Sequence, residues 1–203
     1  NKKHQLSIQS SEKHNIELTI RHLEDLLSPT IIIWPERDGV MVPITRKYAD
    51  DLLGTSPQNS LAFMANHDAA FRSRRGYVNS PRTARVMRPD SPILFYESKR
   101  QGNGRGAVVA VARIVDSIVM HKSEVPKDRQ RRLVVDSVDS FSATDDILVT
   151  TFDNLLVFPH LVPLKKLKAL DALGKANLVT AVSLSSEKIE AILIDGWADA
   201  KTA

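Results

Sequence analysis

Apolar residues recur at helical spacing near the amino end of the chain. The segment 'SSEKHNIELTIRHLEDLLSP' carries them three or four positions apart, at Ile16, Ile20, Leu23 and Leu27. Ser11 precedes this run as a suitable N-cap and Pro29 follows it, so the pattern predicts a helix. Shorter helices are predicted in 'TRKYADDLLG', 'PRTARVM', 'PLKKLKALDAL' and 'SSEKIEAILIDG'. Residues 1–10 are polar and predict a disordered lead-in.

Short runs rich in apolar and β-branched residues predict strands between these helices. They are 'TIIIW', 'GVMVPI', 'LAFMA', 'SPILFYES', 'ILVTTFDNLLVFP' and 'NLVTAVSL'. A further run, 'AVVAVARIVDSIVMH', is about twice the usual strand length, so this strand must bend or serve two parts of a curled sheet. Because strands dominate the centre and the helices are short, the pattern favours an α+β fold. We expect a small, mixed, curled β-barrel decorated by short helices.

The pattern of elements changes near residue 55. 'TSPQNS' is polar and contains a proline, so we interpret it as a linker. It divides the chain into residues 1–55, an N-terminal appendage or the tail of a preceding domain, and residues 56–197, the barrel domain. The sequence does not begin with Met. From this we expect a fragment of a longer protein with a further domain upstream.

The composition excludes several functional classes. The chain has no cysteine, which excludes disulfides, thiolate catalysis and cysteine-rich zinc sites and fits a cytoplasmic location. No apolar run approaches the roughly 20 residues that a bilayer crossing needs, so no membrane contact is expected. The histidines lack the spacing of a helical zinc site, and no P-loop or dinucleotide-binding glycine motif is present. We therefore predict no metal, no cofactor and no catalytic residue.

Positive charge is concentrated in residues 72–106, which hold nine Lys or Arg against two acidic residues. The whole chain carries a formal charge of +4, so the remainder is net acidic. Such local basicity favours a polyanionic partner such as RNA or DNA. A solvated basic face without a partner is the alternative. The predicted contacts to a nucleic-acid backbone are Arg74, Arg75, Arg82, Arg85, Lys99, Arg100 and Arg105.

Aromatic side chains lie within the same basic stretch, and aromatic faces stack on single-stranded or extruded bases. Tyr77 is the predicted exposed platform. Phe95 and Tyr96 are adjacent on a predicted strand and point to opposite faces, so we expect one in the core and the other beside a base. Asn79 and Ser80 can each donate and accept hydrogen bonds, which suits a base edge.

Four segments together resemble EVE domains. 'YVNSPRTARVMRPDSPILFYES' is similar to the family's short helix leading into a strand that ends in an aromatic pair, and 'AVVAVARIVDSI' to the strand that follows. 'VPLKKLKAL' and 'NLVTAVSLSSEKIEAIL' are similar to its later helix and its closing strand and helix. The order of elements agrees over roughly residues 60–195. EVE domains belong to the PUA-like group, whose other members include ASCH and YTH domains.

The resemblance implies a helix-decorated barrel that binds RNA or DNA and takes a modified or flipped base at the barrel mouth. In this chain the pocket would be formed by Tyr77, Asn79, Ser80 and one of Phe95 or Tyr96. RNA is favoured over DNA on the group's general habit.

Two other functions stay open. An enzyme of the ASCH type, acting on nucleosides or RNA, would use Lys99, Glu97 and Thr83, which lie near one another in the sequence. Alternatively, the chain is an interaction domain of a larger protein, with an acyltransferase as one conceivable neighbour.

Overall fold

The computed structural model describes residues 5–9, 15–53, 73–99, 104–133, 144–173 and 178–198. The strands are β1 (Gln5–Gln9), β2 (Asn15–Thr19), β3 (Gly39–Ile44), β4 (Arg75–Asn79), β5 (Pro92–Glu97), β6 (Ala107–His121), β7 (Asp146–Pro163) and β8 (Val182–Leu184). The α-helices are α1 (Ile20–Leu26), α2 (Arg46–Leu53), α3 (Lys127–Gln130), α4 (Leu164–Ala169) and α5 (Ser186–Trp197). Short 3₁₀ turns cover Pro81–Thr83 and Lys122–Glu124.

Six strands form one mixed sheet in the order β4-β7-β6-β5-β3-β8, and β1 and β2 form a separate antiparallel pair. Within the larger sheet, β3 runs parallel to β5 and the other pairings are antiparallel. The sheet is curled. The evidence is that Tyr77 on the edge strand β4 donates a hydrogen bond of 3.1 Å to the carbonyl of Pro43 on β3, which is not a neighbouring strand in the sheet. The predicted α+β class and mixed sheet agree with this. The sheet is open, since its two edge strands do not pair in the part of the chain that the structure describes.

The two longest strands bend, as predicted for β6. β6 has 15 residues and β7 has 18, and their register shifts between Val108 and Ala110, Val111 and Arg113, and Ile114 and Asp116. Each irregularity lets one continuous strand follow two parts of the curled sheet.

The central strand β5 is buried on both faces, which explains its unbroken apolar sequence. Ile93 and Phe95 face a first core that also contains residues of α2, whereas Leu94 and Tyr96 face a second core that includes residues of α4 and α5. A third, smaller core lies under the far half of the β6–β7 hairpin. It consists of Val78, Val125, Leu133, Ile147 and Val149.

The predicted N-terminal helix is wrong over its first half. Residues 15–19 form β2 and pair with β1, so the lead-in is also ordered over Gln5–Gln9. Thr19 has extended dihedrals (φ −79°, ψ 157°), and its side chain accepts a hydrogen bond from the backbone N–H of His22. Thr19 is therefore the N-cap, and the helix begins at Ile20.

The predicted strand 'TIIIW' is also wrong, since residues 27–38 contain no strand. The backbone N–H of Ile32 donates to the carboxylate of Glu24 at 2.8 Å instead of to a neighbouring strand. Ile31 and Ile33 pack against the second core, which accounts for the apolar run.

Three further predictions concern the boundaries of elements and domains. The helix 'PRTARVM' is reduced to the single 3₁₀ turn at Pro81–Thr83, and 'LAFMA' lies outside the described residues. The division of the chain at residue 55 stays a prediction, although β3, which precedes it, is an interior strand of the sheet. Among the described residues, no helix has the length and apolar character to cross a membrane.

Candidate nucleic-acid interface

The segment of residues 80–88, here called the arginine turn, presents two free cations. Arg82 and Arg85 are exposed, and neither guanidinium has an ion-pair or hydrogen-bond partner among the residues that the structure describes. The turn beneath them is fixed, because Thr83 and Met87 are buried and the backbone N–H of Met87 donates to the carbonyl of Thr83 at 3.2 Å. The two arginines can therefore meet an anion without displacing a protein carboxylate.

Asn79 ends β4 immediately before the arginine turn and carries an unused donor. Its Oδ1 accepts from the backbone N–H of Ser80 at 2.8 Å. Its Nδ2 is buried and has no acceptor among the described residues. A buried donor left unpaired costs about 1–3 kcal/mol.

A cleft of about 770 Å³ adjoins the arginine turn. Its walls come from the start of α1, the loop before β3, the chain just after Arg85 and the end strand β8. Charged and polar side chains line it, among them Arg21, His22, Asp38, Arg88, Asp90 and Ser183. Sequence reasoning missed this cleft because its residues come from four separate segments that only the fold brings together.

A buried ion-pair network, of which Arg37 lines the cleft, attaches α1 to the sheet. Arg37, at 7% exposure, forks onto the fully buried carboxylate of Glu24 with distances of 2.5 and 2.9 Å. Arg113, at 1% exposure, forks onto Asp153 with two bonds of 2.8 Å. Arg113 also bonds Asp25 of α1 at 2.5 Å.

The protonation of Arg113 is set by these carboxylates. Burial alone would lower the pKa of Arg113, but hydrogen bonds and charge attraction to Asp153 and Asp25 outweigh burial and raise it. The guanidinium groups of Arg37 and Arg113 are thus engaged by carboxylates of the protein and are not available to an external anion.

The carboxylate of Glu97 organises a second charged cluster at the end of β5. Glu97 is fully buried, and its Oε1 accepts from the backbone N–H of Arg105 at 2.8 Å and from Arg46 at 3.3 Å. The Arg105 guanidinium lies 3.5 Å from Oε2 of Glu97 and 3.7 Å from Asp50. Arg105, a predicted backbone contact, therefore neutralises protein carboxylates.

The remaining cations predicted to contact a nucleic-acid backbone differ in exposure and in their partners within the protein. Lys99 is exposed beside Gly106. Arg74 is 53% exposed and lies 3.9 Å from Asp153. Arg75 donates to the carbonyl of Leu52, and burial lowers the pKa of Arg75. Arg100 lies outside the described residues.

The aromatic rings predicted to line a base pocket pack against other residues of the protein. Phe95 (0% exposed) and Tyr96 (5% exposed) do point to opposite faces, but both faces of β5 are covered by cores. The ring of Tyr77 meets Phe95 edge-on at 6.2 Å, and burial raises the pKa of the Tyr77 hydroxyl, which donates to Pro43. This placement corrects the prediction that Phe95 or Tyr96 is free to wall a base pocket. Ser80 is exposed, next to the donor of Asn79.

The residues of the enzyme alternative have separate partners. The hydroxyl of Thr83 donates to the carbonyl of Ser80 at 2.8 Å, whereas Glu97 accepts from Arg46 and Arg105. Within the described ranges, no group of three His, Cys, Asp or Glu side chains is arranged to hold a metal ion.

Comparisons with known proteins support the fold. No protein-family model matches the chain, and no curated protein matches it. Two point-mutant crystal structures of the ASCH protein of Zymomonas mobilis are similar to it in structure. One has a TM-score of 0.53 and 11% identity and covers 77% of this chain and 95% of that chain. The other has a TM-score of 0.53 and 10% identity and covers 75% and 94%.

This likeness concerns the three-dimensional fold, since so few residues are identical. The chain has a fold similar to that of the ASCH protein of Zymomonas mobilis, and membership of the PUA-like group stays a prediction. The EVE assignment itself stays a prediction.

Proposed function

We propose that this chain is a nucleic-acid-binding domain whose arginine turn holds the phosphate backbone of RNA or DNA. The observation that carries the proposal is the pair of exposed, unpartnered guanidinium groups of Arg82 and Arg85 on a fixed turn. Arginine forks match phosphate oxygens, and neutralised phosphates supply most of the non-specific binding energy. The ASCH-like fold is consistent with this role.

The neighbouring groups suit contact with a single-stranded or extruded nucleotide. Asn79 lies next to the turn with an unpaired amide donor, and the cleft bordered by Arg88 has a volume in the range of small-ligand sites. An amide donor suits a base carbonyl or ring nitrogen. We place the extruded base in this cleft, in place of the aromatic pocket predicted from the sequence. We also propose that the base recognised in the cleft is a modified one.

Binding of labelled single-stranded RNA and DNA, measured by fluorescence anisotropy over a salt series, tests the role of the turn. Changing Arg82→Ala and Arg85→Ala together should weaken binding to all sequences. The slope of log K against log salt should fall by about one to two phosphate contacts. Lys165→Ala with Lys168→Ala is the matched control, because it removes the same charge from exposed positions on α4. An unchanged slope in the arginine variant, or an equal fall in the control, would refute the proposal.

Two further readouts sharpen the result. Asn79→Ala should lower affinity without changing the salt slope, because an amide neutralises no phosphate. A 2-aminopurine base placed within the oligonucleotide should brighten on binding if the cleft takes it out of the stack. Mass analysis of the RNA after incubation distinguishes the enzyme alternative, since a binding module leaves the RNA unaltered.

A further inference from the structure

A second basic segment, residues 127–132, lies against the start of β4. The backbone N–H of Gly76 donates to the carbonyl of Arg132 at 2.7 Å, and Gly76 forms a parallel bridge with Leu133. The approach is close, because a Cβ at position 76 would come within 2.5 Å of a methyl carbon of Leu133. The fold thus joins 'KDRQRR' to Arg74, which is distant from it in the sequence.

Some cations of this segment anchor it. Arg129 forks onto Asp116 with distances of 2.7 and 3.2 Å and also bonds the hydroxyl of Thr151 at 3.2 Å. Arg132 pairs with Asp128, the one acidic residue of residues 127–132, at 3.3 Å. These pairs account for the carboxylates of Asp116 and Asp128.

The other cations are free. Lys127 and Arg131 are exposed, and neither side chain has an ion-pair or hydrogen-bond partner in the described part of the chain. Arg74 is 53% exposed and only loosely paired, with 3.9 Å to Asp153. Lys127, Arg131 and Arg74 are here called the second basic surface. The residues that the structure describes do not fully neutralise its positive charge.

The segment of residues 127–132, which carries two cations of the second basic surface, is anchored at both ends. Val125 (4% exposed) and Leu133 (6% exposed) flank the segment and are buried in the third core with Val78 and Ile147. The side chain of Gln130 donates to the carbonyl of Val125 at 2.8 Å, which closes the helical turn. A fixed backbone reduces the ordering cost of binding, whereas a freely moving basic tail would incur it in full.

β4 connects the second basic surface to the arginine turn. Arg74 precedes β4 and Ser80 follows it, and the four residue steps from Arg75 to Asn79 span about 13 Å. This length corresponds to about four nucleotide steps of 3.4 Å along the axis of a helical nucleic acid. One positive surface thus adjoins each end of β4, an arrangement that suits a polyanion with regularly repeated charges.

We infer that the second basic surface binds the phosphates that flank the nucleotides held by the arginine turn. The inference rests on the proposed function and extends it from one contact point to a continuous strand along β4. The partner is a strand of RNA or DNA longer than the arginine turn alone can cover.

The test compares short and long oligonucleotides. Lys127→Ala with Arg131→Ala should lower the salt slope by about one to two for a strand of about twelve nucleotides. Binding of a tetranucleotide, which one basic surface suffices to cover, should stay unchanged. Lys127→Arg with Arg131→Lys should restore the long-strand slope, because phosphate neutralisation needs charge at these positions rather than a particular side chain. The Lys165→Ala and Lys168→Ala variant again controls for net charge.

The outcomes separate this inference from the proposed function. If the Arg82 and Arg85 variant loses affinity while the Lys127 and Arg131 variant keeps the wild-type slope on long strands, the second surface is refuted and the proposed function stands. If the wild type binds no oligonucleotide, both fail. If the Lys127 and Arg131 variant loses only binding to polyglutamate, the surface serves an acidic protein instead, which also overturns the inference.

Discussion

The buried ion-pair network and the arginine turn are both built on guanidinium groups but differ in what surrounds them. Arg37 and Arg113 are nearly removed from solvent, and each forks onto a carboxylate. Arg82 and Arg85 are exposed, and their guanidinium groups have no partner among the described residues. The first pair holds α1 on the sheet, and the second carries positive charge that the described residues do not neutralise.

The difference shows that the local density of basic residues does not locate a binding surface. Of the cations predicted as backbone contacts, Arg105 and Arg75 are engaged by Glu97, Asp50 and a main-chain carbonyl. The informative property is positive charge that no carboxylate of the protein neutralises.

The largest effect is expected from Arg113→Ala. This change leaves Asp153 and the buried Glu24 with less compensating charge, so the free energy of unfolding should fall by about 3–5 kcal/mol. Urea denaturation monitored by circular dichroism measures the loss, with Lys165→Ala as the exposed control. A loss below about 1 kcal/mol would mean that the network is not structural.

A smaller effect is expected from Tyr77→Phe. The variant removes the hydrogen bond to Pro43 that joins β4 to β3, at a cost of about 1 kcal/mol in unfolding free energy. Affinity for single strands should not change, because the ring already packs against Phe95. A fall in single-strand affinity with an unchanged unfolding free energy would mean that Tyr77 contacts the nucleic acid. Tyr77 would then belong with the groups available to a ligand rather than with the structural ones.

The smallest change in stability is expected from the Arg82→Ala and Arg85→Ala variant. Because neither guanidinium has a partner, its unfolding free energy should stay within about 0.5 kcal/mol of wild type. Thermal unfolding of the same samples used for binding gives this value. Destabilisation well above that range would show that these arginines support the fold.

The sequence predicts the strands of the sheet better than the charged sites. 'GVMVPI' and 'SPILFYES' correspond to β3 and β5, because a strand buried on both faces is almost uniformly apolar. The N-terminal helix was predicted too long because Ile16 and Leu18 also alternate with polar residues, a pattern typical of a strand. The capping hydrogen bond of Thr19 decides between the two patterns, and it is a local signal that could have been used.

The candidate site could be predicted only where it is local. The arginine turn lies within one short segment, so its two arginines could be named from the sequence alone. The approach of residues 127–132 to Gly76 depends on the pairing of distant segments, and so does the cleft. Burial of both Phe95 and Tyr96 likewise depends on which elements cover the two faces of β5.

The parallel pairing of β3 with β5 bears on how the chain can be divided. A polypeptide shortened to begin after α2 would leave β5 with an unpaired backbone edge and would uncover apolar side chains on both sides of it. Exposed apolar edges recruit strands from other molecules. Such a truncated protein should self-associate in proportion to its concentration, and adding back a peptide that contains Gly39–Ile44 should compete with that association.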